Sequence, residues 1–324
     1  MQIAVLGAGA MGSVVGGYLA AAGNSVTLID INDDFVTTIN SRGLILESEG
    51  AERVVDIRAA TSSANLEPVD LIVVLVKSFH TEEAIKGCLN LLGPETMVLS
   101  LQNGLGHEEV LAKIIGKERV IAGKTYVGGV LTAPGHAVAG VRGKETIIGE
   151  LDGRVTPRIQ NIAKTFGFAN LATSVSDNIL GAMWDKLLIN VAAGALSGIT
   201  GLNFGNLYDL PEAEETAVEA VAEAMRVANA LGINLETAKP VDAWVKASAG
   251  LPFDFKPSVL QTLEKRMTTE IDFINGAVVR AGRKAGIATP VNATLVACIK
   301  GIERAFDPKI EVKQPTKTRA RSRH

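Results

Sequence analysis

Cysteine is scarce in this chain, and so is any arrangement of residues typical of a metal site. The two cysteines among 324 residues, Cys88 and Cys298, lie far apart and form no C-x-x-C pair. The four histidines are scattered, with no H-x-x-x-H pair among them. This pattern argues against a disulfide framework and against a zinc site, so we expect no bound metal.

Long apolar runs and a strong charge of one sign are also lacking. No run approaches the ~20 apolar residues that span a bilayer. The first predicted strand begins at residue 2, so we expect no signal peptide. The formal net charge is −3, and a basic stretch over 312–324 leaves the remainder of the chain acidic. We therefore expect a cytoplasmic protein that binds neither membrane nor nucleic acid, with a disordered tail over 309–324.

The chain does have a glycine-rich turn near its N-terminus, between a predicted strand and a predicted helix. Residues 3–6 form a short apolar run, and residues 13–22 are small and apolar up to Gly23, as in a helix. Between them lies a G-x-G-x-x-G motif formed by Gly7, Ala8, Gly9, Ala10, Met11 and Gly12. Its glycines allow a tight turn, approach of a pyrophosphate and close helix packing. The strand–turn–helix context predicts dinucleotide binding.

Asp30 follows the next predicted strand, residues 25–29. A dinucleotide-binding domain places at this point the acidic residue that contacts the adenosine ribose. A carboxylate there hydrogen-bonds the ribose hydroxyls of NAD and repels the 2′-phosphate of NADP. The sequence therefore predicts NAD(H) as the preferred cofactor over NADP(H).

Two further predicted strands also end in polar residues. Residues 70–76 lead into Lys77, and residues 96–101 lead towards Asn103. Ligands of open α/β sheets bind beyond the carboxyl ends of the strands, so both side chains are candidates for ligand contact. A solvated lysine and a plain Asn-Gly turn remain the competing interpretations.

The pattern over residues 1–174 predicts one α/β domain. Residues 44–58 predict a hairpin or two short strands, and residues 81–92 predict a helix. Residues 119–149 are rich in β-forming side chains and predict an antiparallel meander that continues the sheet.

Helical patterns dominate residues 175–308, which predicts an all-helical second domain. Residues 177–196 are apolar on nearly every side, as in a buried helix. Lys186 and Asn190 are four positions apart, so they share one face, which Gly194 continues without a side chain. We expect this face to form a polar floor with open space above it.

One long helix is predicted from residue 258 to residue 284, and Gly286 stops it from continuing. Glu270 lies in the middle of this pattern. A last helix is predicted over 291–306, after Thr289 and Pro290.

Four stretches of the chain stand in a particular order: the glycine motif, residues 102–106, residues 184–190 and residues 270–276. In this order and spacing they resemble the motifs of the ketopantoate reductases (2-dehydropantoate 2-reductases), over residues 1–306. The resemblance implies a Rossmann-type α/β domain, an all-α C-terminal domain like that of 6-phosphogluconate dehydrogenase, and an active site between them. It also implies NAD(P)H-dependent reduction of a 2-keto acid to a 2-hydroxy acid, with ketopantoate the first candidate, in a homodimer.

The resemblance assigns catalysis to Lys186 and Glu270. Lys186 falls on the family's catalytic lysine, and Glu270 falls on a glutamate near that lysine and the nicotinamide ribose. Hydride delivery to a ketone builds negative charge on oxygen, which an ammonium group stabilises and protonates. Burial lowers the pKa of a lysine towards the range where proton donation is useful. A structural ion pair between Lys186 and Asp185 is the competing interpretation.

The resemblance also assigns binding roles to other residues. Lys77 matches a cofactor-binding lysine, and Gly129 falls near a backbone position that contacts the cofactor. Asn103 matches an asparagine that contacts both cofactor and substrate. Asn190 falls on a position that hydrogen-bonds the substrate or orients the lysine, and Ser258 on a serine that contacts the substrate carboxylate. These last two residues could equally be a locally satisfied helix residue and an N-cap.

Departures from the family pattern bear on specificity. The family commonly has an arginine just beyond the second strand, which binds the 2′-phosphate of NADP; Ile31 stands there in this chain. Family asparagines of the substrate site are replaced by Gly194, Phe204 and Phe255. A site with fewer hydrogen-bond donors favours a bulkier and more apolar 2-keto acid, which is the alternative to ketopantoate as the substrate.

Two further functions are compatible with a dinucleotide-binding domain followed by a helical domain. One is a 3-hydroxyacid or sugar-acid dehydrogenase with a similar two-domain organisation. The second is a redox sensor that binds NAD without catalysis. The position of the keto group in accepted substrates separates the first from a 2-keto acid reductase, and the need for Lys186 separates the second.

Overall fold

The structure, a computed structural model, describes residues 1–306. The basic tail predicted over 309–324 lies outside the described residues. The N-terminal part carries all the described strands and the C-terminal part only helices. The strands are β1 (Gln2–Leu6), β2 (Ser25–Ile29), β3 (Leu44–Ser48), β4 (Ala51–Val55), β5 (Arg58–Ala60), β6 (Val69–Val74), β7 (Leu92–Ser100), β8 (Val120–Thr125), β9 (Gly128–Ala133), β10 (His136–Gly140), β11 (Thr146–Glu150) and β12 (Thr173–Val175).

The helices of the N-terminal part are α1 (Ala10–Ala21), α2 (Asp33–Arg42), α3 (Thr81–Lys86), α4 (His107–Ile115) and α5 (Pro157–Phe168). Those of the C-terminal part are α6 (Ile179–Thr200), α7 (Phe204–Tyr208), α8 (Pro211–Ala230), α9 (Pro240–Ser248), α10 (Ser258–Glu264), α11 (Asn275–Ala285) and α12 (Pro290–Arg304).

Eight strands form the main sheet, in the order β12-β11-β8-β7-β6-β1-β2-β5. All neighbouring strands in it are parallel except β8 and β11. Ile3 and Val5 of β1 pack into one hydrophobic cluster, and Ala4 and Leu6 into another on the opposite face. A strand that is apolar at successive positions is thus buried on both faces, as in other parallel sheets. Since β2 and β6 lie on opposite sides of β1, the order reverses there and opens a crevice at the strand ends.

A second, four-stranded sheet has the order β4-β3-β10-β9. The hairpin predicted over residues 44–58 is confirmed as the antiparallel pair β3–β4. The meander predicted over residues 119–149 is wrong in part, because β9 and β10 leave the main sheet and β10 pairs parallel with β3. A Cβ atom on Gly129 would lie 2.8 Å from Val14 and 3.1 Å from the carbonyl oxygen of Ala10. The missing side chain therefore lets β9 pack directly on α1, away from β8.

The helix predicted over residues 81–92 is also shorter than expected, since α3 ends at Lys86. Tertiary hydrogen bonds hold the remainder in turns. The Nδ2 of Asn90 donates to the carbonyl oxygen of Ser63, and the Ser63 hydroxyl donates to the Oδ1 of Asn90. The Ser63 hydroxyl oxygen also lies 2.8 Å from the carbonyl oxygen of Gly87. In a continuing helix that carbonyl would accept the N–H of Leu91, which donates to the carbonyl oxygen of Cys88 instead. The strand β7 then starts at Leu92.

Helix α6 is the core of the C-terminal part and packs against α8, α9, α10 and α12. The expectation that no apolar segment approaches the length of a membrane span was wrong. By length and composition alone α6 could cross a membrane, but 78% of its apolar window is buried inside the protein. Such burial is what a fully apolar core helix has in a globular fold.

The single helix predicted from residue 258 to residue 284 is two helices, α10 and α11. Between them Arg266 adopts a left-handed backbone conformation with φ of 54°. The backbone N–H and the hydroxyl of Thr269 donate to Oε1 of Glu303 on α12, at 2.7 and 2.6 Å. Because this carboxylate takes the N–H that an i−4 carbonyl would bind, the helix does not continue. Glu270 consequently lies on a turn, just before a short 3₁₀ segment at Ile271–Phe273.

Candidate active site

The glycine turn lies between the end of β1 and the start of α1. Gly7 has a φ of +90°, and a Cβ atom there would lie 2.9 Å from the backbone nitrogen of Val76. A Cβ atom on Gly12 would lie 1.8 Å from the carbonyl oxygen of Gly7. Gly9, in contrast, has no atom within 4 Å of its Cβ position and is exposed. Two glycines thus close the turn, and the middle one leaves its backbone open to a ligand at the helix N-terminus.

The other residues of the motif support this turn. Ala8 is buried, whereas Ala10 and Met11 are half-buried in the first turn of α1. The hydroxyl of Ser13 donates to the carbonyl oxygen of Ala8 at 2.8 Å.

Asp30 lies at the carboxyl end of β2, beside the glycine turn. Its Oδ2 accepts the backbone N–H of Ala8 at 2.7 Å, and its Oδ1 accepts that of Asn32 at 3.0 Å. Ile31 is 90% exposed. The crevice beyond β2 therefore has a carboxylate of fixed orientation, followed by an apolar side chain in solvent.

Lys186 reaches from α6 to the ends of two strands of the main sheet. Its Nζ donates to Oδ1 of Asn103 at 2.8 Å and to the carbonyl oxygen of Thr125 at 2.7 Å. The same Nζ lies 5.8 Å from the ring centre of Tyr126. The lysine of the helical part and the asparagine of the α/β part, assigned separately from the sequence, thus meet in one cleft.

The pKa of Lys186 is lowered to about 8, first by burial and then by the positive charge of Lys124; the negative charge of Glu270 acts in the opposite direction. The competing ion pair with Asp185 is not formed. The carboxylate of Asp185 accepts instead the backbone N–H groups of Glu236 and Thr237, at 3.0 and 2.9 Å. Lys186 is therefore free of a direct carboxylate partner among residues 1–306, which suits a group that releases its proton.

Glu270 lies near the same cleft, just before the short 3₁₀ segment. Its Oε1 accepts the backbone N–H of Ser78 at 2.9 Å and the Ser78 hydroxyl at 2.5 Å. Its Oε2 lies 3.4 Å from Nζ of Lys77, whose side chain is half-exposed. The carboxylate itself is largely buried, with 13% of the side chain exposed. Glu270 and Lys77 thus meet where the chain leaves β6, close to the crevice.

Asn190 and Ser258 are not held by side-chain hydrogen bonds to the other proposed site residues. Asn190 lies one turn beyond Lys186 on α6 and is half-buried, and its side chain has no hydrogen bond within the described residues. Ser258 is exposed at the first position of α10, whose N-cap residue is Pro257. Both side chains are available to a ligand, but no side-chain hydrogen bond joins either of them to Lys186.

The space expected above Gly194 is filled. A Cβ atom there would lie 3.5 Å from Val259 of α10, an ordinary packing distance. Phe204, which replaces a family asparagine, is 5% exposed and packs against Tyr208 and Phe255 in the helical core. Of the two phenylalanines, Phe255 is the more accessible.

Several groups of this cleft could not be found by sequence reasoning. A backbone carbonyl such as that of Thr125 leaves no signal in a sequence. Ser78 follows Lys77 without a pattern of its own, and His107 is one of four scattered histidines. Lys124 is 7% exposed, and burial lowers its pKa as well. The one available signal for Lys124 was a charged residue inside an otherwise apolar strand pattern.

Comparison with known proteins identifies the family. The family model described as ketopantoate reductase PanE/ApbA matches residues 3–153, and the model of its C-terminal part matches residues 178–303. The 2-dehydropantoate 2-reductase of Halobacterium salinarum is 33% identical over 308 residues, covering 94% of this chain and 99% of the relative. That of Pyrococcus horikoshii is 34% identical over 304 residues, covering 94% and 98%.

Solved structures show the same architecture. The crystal structure of a PanE/ApbA family ketopantoate reductase from Ralstonia eutropha has a TM-score of 0.86 at 33% identity, covering 94% of this chain and 99% of its own. The ternary structure of D-mandelate dehydrogenase with NADH and anilino(oxo)acetate has a TM-score of 0.87 at 29% identity, with the same coverage of 94% and 99%. The chain therefore belongs to the ketopantoate reductase (PanE/ApbA) family, oxidoreductases that act on CH–OH groups with NAD(P).

Proposed function

We propose that this protein reduces a 2-keto acid to a 2-hydroxy acid with NADH, and that Lys186 is its general acid. The observation that carries the proposal is the pair of hydrogen bonds from Lys186 Nζ to Asn103 and Thr125. They hold the ammonium at the carboxyl ends of β7 and β8, on the side of the sheet where the glycine turn opens. A ketone oxygen in this cleft would have a proton donor beside it.

The chemistry requires one hydride and one proton. The bound cofactor supplies the hydride to the carbonyl carbon. Lys186 stabilises the charge that develops on the carbonyl oxygen and donates the proton that completes the hydroxyl group. Asn103 orients the ammonium through its Oδ1, and Glu270 would hold the nicotinamide ribose. Lys77, Gly129 and the glycine turn complete the cofactor site.

NADH is the proposed cofactor in preference to NADPH. Asp30 offers acceptors to ribose hydroxyls, and Ile31 offers no charge to a 2′-phosphate. Among the similar solved structures, that of D-mandelate dehydrogenase contains NADH. We expect kcat/KM to be about tenfold or more higher with NADH than with NADPH. A preference for NADPH would contradict the proposal.

Ketopantoate is the first proposed substrate, since the relatives are named 2-dehydropantoate 2-reductases. Asn190 and Ser258 would then bind the hydroxyl and carboxylate groups of the substrate. A bulkier, more apolar 2-keto acid is the second candidate. It is favoured by Phe255 at the position of a family asparagine, and by the anilino(oxo)acetate in the D-mandelate dehydrogenase structure. Initial rates with ketopantoate and with aryl and branched 2-keto acids, at saturating NADH, distinguish the two.

The remaining proposals concern organisation. We propose a boundary between the two domains near residue 174, between β12 and α6, and a substrate domain that extends to residue 308. We also propose a cytoplasmic homodimer that binds neither membrane nor nucleic acid. Light scattering on the eluting protein tests the dimer, and a monomer at micromolar concentration would contradict it.

A further inference from the structure

Ser78 is a buried residue that the proposed mechanism does not use. It follows Lys77 at the end of β6 and is 2% exposed. Both its backbone N–H and its hydroxyl donate to the same oxygen, Oε1 of Glu270. Because two donors from one residue converge on one carboxylate oxygen, they restrict the rotation of the carboxylate more than either donor alone.

A buried histidine, His107, lies between the same serine and the loop that carries Asn103. His107 Nε2 lies 3.0 Å from the carbonyl oxygen of Asn103 and 3.5 Å from the hydroxyl oxygen of Ser78. A carbonyl oxygen can only accept a hydrogen bond, so Nε2 is the ring nitrogen that carries the proton. Burial lowers the pKa of His107, which keeps the ring neutral. The ring also stacks on Phe273, with centroids 4.9 Å apart, in the segment that follows Glu270.

These contacts join the two proposed catalytic side chains through one loop. Lys186 is bonded to the side chain of Asn103, and the backbone carbonyl of Asn103 contacts His107. The N–H of Leu105 donates to the carbonyl oxygen of Phe273 at 2.9 Å. The loop after β7 therefore packs against the Glu270 segment on one side and the Lys186 ammonium on the other.

We propose that Ser78 is a positioning residue, whose hydroxyl holds the Glu270 carboxylate in the orientation that the active site requires. This inference rests on the proposed function, because it takes Glu270 to act on the cofactor ribose. The hydroxyl is the part of the contact that a substitution can remove, since the backbone N–H remains in every variant. A serine that only stabilised the fold would change unfolding temperature and leave kinetics intact.

The experiment is a double-mutant cycle with Ser78→Ala and Glu270→Gln in the full chain. We expect Ser78→Ala to lower kcat roughly tenfold, because small misplacements of a site group have large kinetic effects. In the Glu270→Gln background the same change should alter kcat less than about twofold, since coupled residues are not additive. Ser78→Thr, which keeps a hydroxyl, should recover most of the activity.

Ser63→Ala is the matched control. Ser63 is 1% exposed, and its hydroxyl donates to the carbonyl oxygen of Gly87 and to Asn90, away from the cleft. We expect this variant to lower the unfolding temperature about as much as Ser78→Ala without changing kcat. The proposal would be overturned if Ser78→Ala lowered kcat equally in the wild-type and Glu270→Gln backgrounds, or changed kcat in neither.

Affinity for NADH separates this inference from the proposed function. We expect Ser78→Ala to raise the Kd of NADH, measured by fluorescence titration, about threefold in the wild-type background and not in Glu270→Gln. If the wild-type chain binds NADH but reduces no 2-keto acid, the proposed reaction fails. The Kd measurements would still test the role of Ser78. If Ser78→Ala left the Kd of NADH unchanged in both backgrounds, Ser78 would not be a positioning residue.

Discussion

The cofactor crevice and the catalytic cleft lie side by side in this molecule but are built in different ways. The crevice depends on backbone shape, since Gly7 and Gly12 are the residues whose missing Cβ atoms let strand and helix meet. The cleft depends on side chains from distant parts of the chain, since Lys186 bonds to Asn103 and Glu270 bonds to Ser78. The first can therefore be disturbed by adding one carbon atom, and the second by removing one polar group.

The largest effect is expected at the catalytic lysine. Lys186→Met removes the proton donor and should lower kcat for 2-keto acid reduction at least ~10²-fold. Affinity for NADH should stay within about threefold, because the lysine acts on the substrate oxygen. Lys86→Met is a control, since Lys86 is exposed and, among residues 1–306, pairs only with Glu82. A Lys186→Met variant that keeps its kcat would show that another group donates the proton.

The glycine turn offers a matched pair of substitutions. Gly12→Ala should destabilise the fold by about 1–3 kcal/mol, because the new Cβ would overlap the carbonyl oxygen of Gly7. Gly9→Ala should leave the unfolding free energy within about 0.5 kcal/mol, since Gly9 has a φ of −60° and open space around it. Its affinity for NADH should nevertheless fall about tenfold, because the methyl group occupies the approach of the pyrophosphate. Thermal melts and NADH titrations measure both; wild-type NADH affinity in Gly9→Ala would place the cofactor elsewhere.

Cofactor preference is expected to change by a smaller factor than the loss of kcat in Lys186→Met. Ile31→Arg adds a cation beside the proposed ribose site at a position that is 90% exposed. A charge-assisted hydrogen bond to the 2′-phosphate should raise kcat/KM with NADPH about tenfold and leave the value with NADH nearly unchanged. Ile31→Leu is the control and should change neither. If Ile31→Arg left the NADPH value unaltered, the ribose would not lie near Asp30.

Much of the crevice and less of the cleft could be predicted from the sequence. The glycine turn, the strand before it and Asp30 are local features, and apolar residues on every side of α6 predicted its burial. The turn that carries Glu270 could not be predicted, because the hydrogen bonds from Thr269 to Glu303 that form it come from α12. The departure of β9 and β10 into a second sheet depends likewise on the distant strand β3. Lys186 was identified by resemblance, whereas its bond to the Thr125 carbonyl required the structure.

The central claim is that the Lys186 ammonium donates the proton, and the pH dependence of kcat/KM tests it most directly. Because the pKa of Lys186 is about 8 before substrate binds, kcat/KM for the 2-keto acid should be constant below that pH and fall tenfold per unit above it. Burial is the larger cause of this lowered pKa, and the charge of Lys124 the next, opposed by Glu270.

Lys124→Met removes one of the two causes and should therefore move the midpoint to higher pH. The groups that face Lys124, namely Asp185, Glu236, Glu145 and Lys246, remain in place, and the Tyr126 ring still lies beside Lys186. We predict this upward shift in kcat/KM for the 2-keto acid, measured at saturating NADH. A kcat/KM that is flat from pH 6 to pH 10 in wild type, or a midpoint unmoved by Lys124→Met, would contradict it.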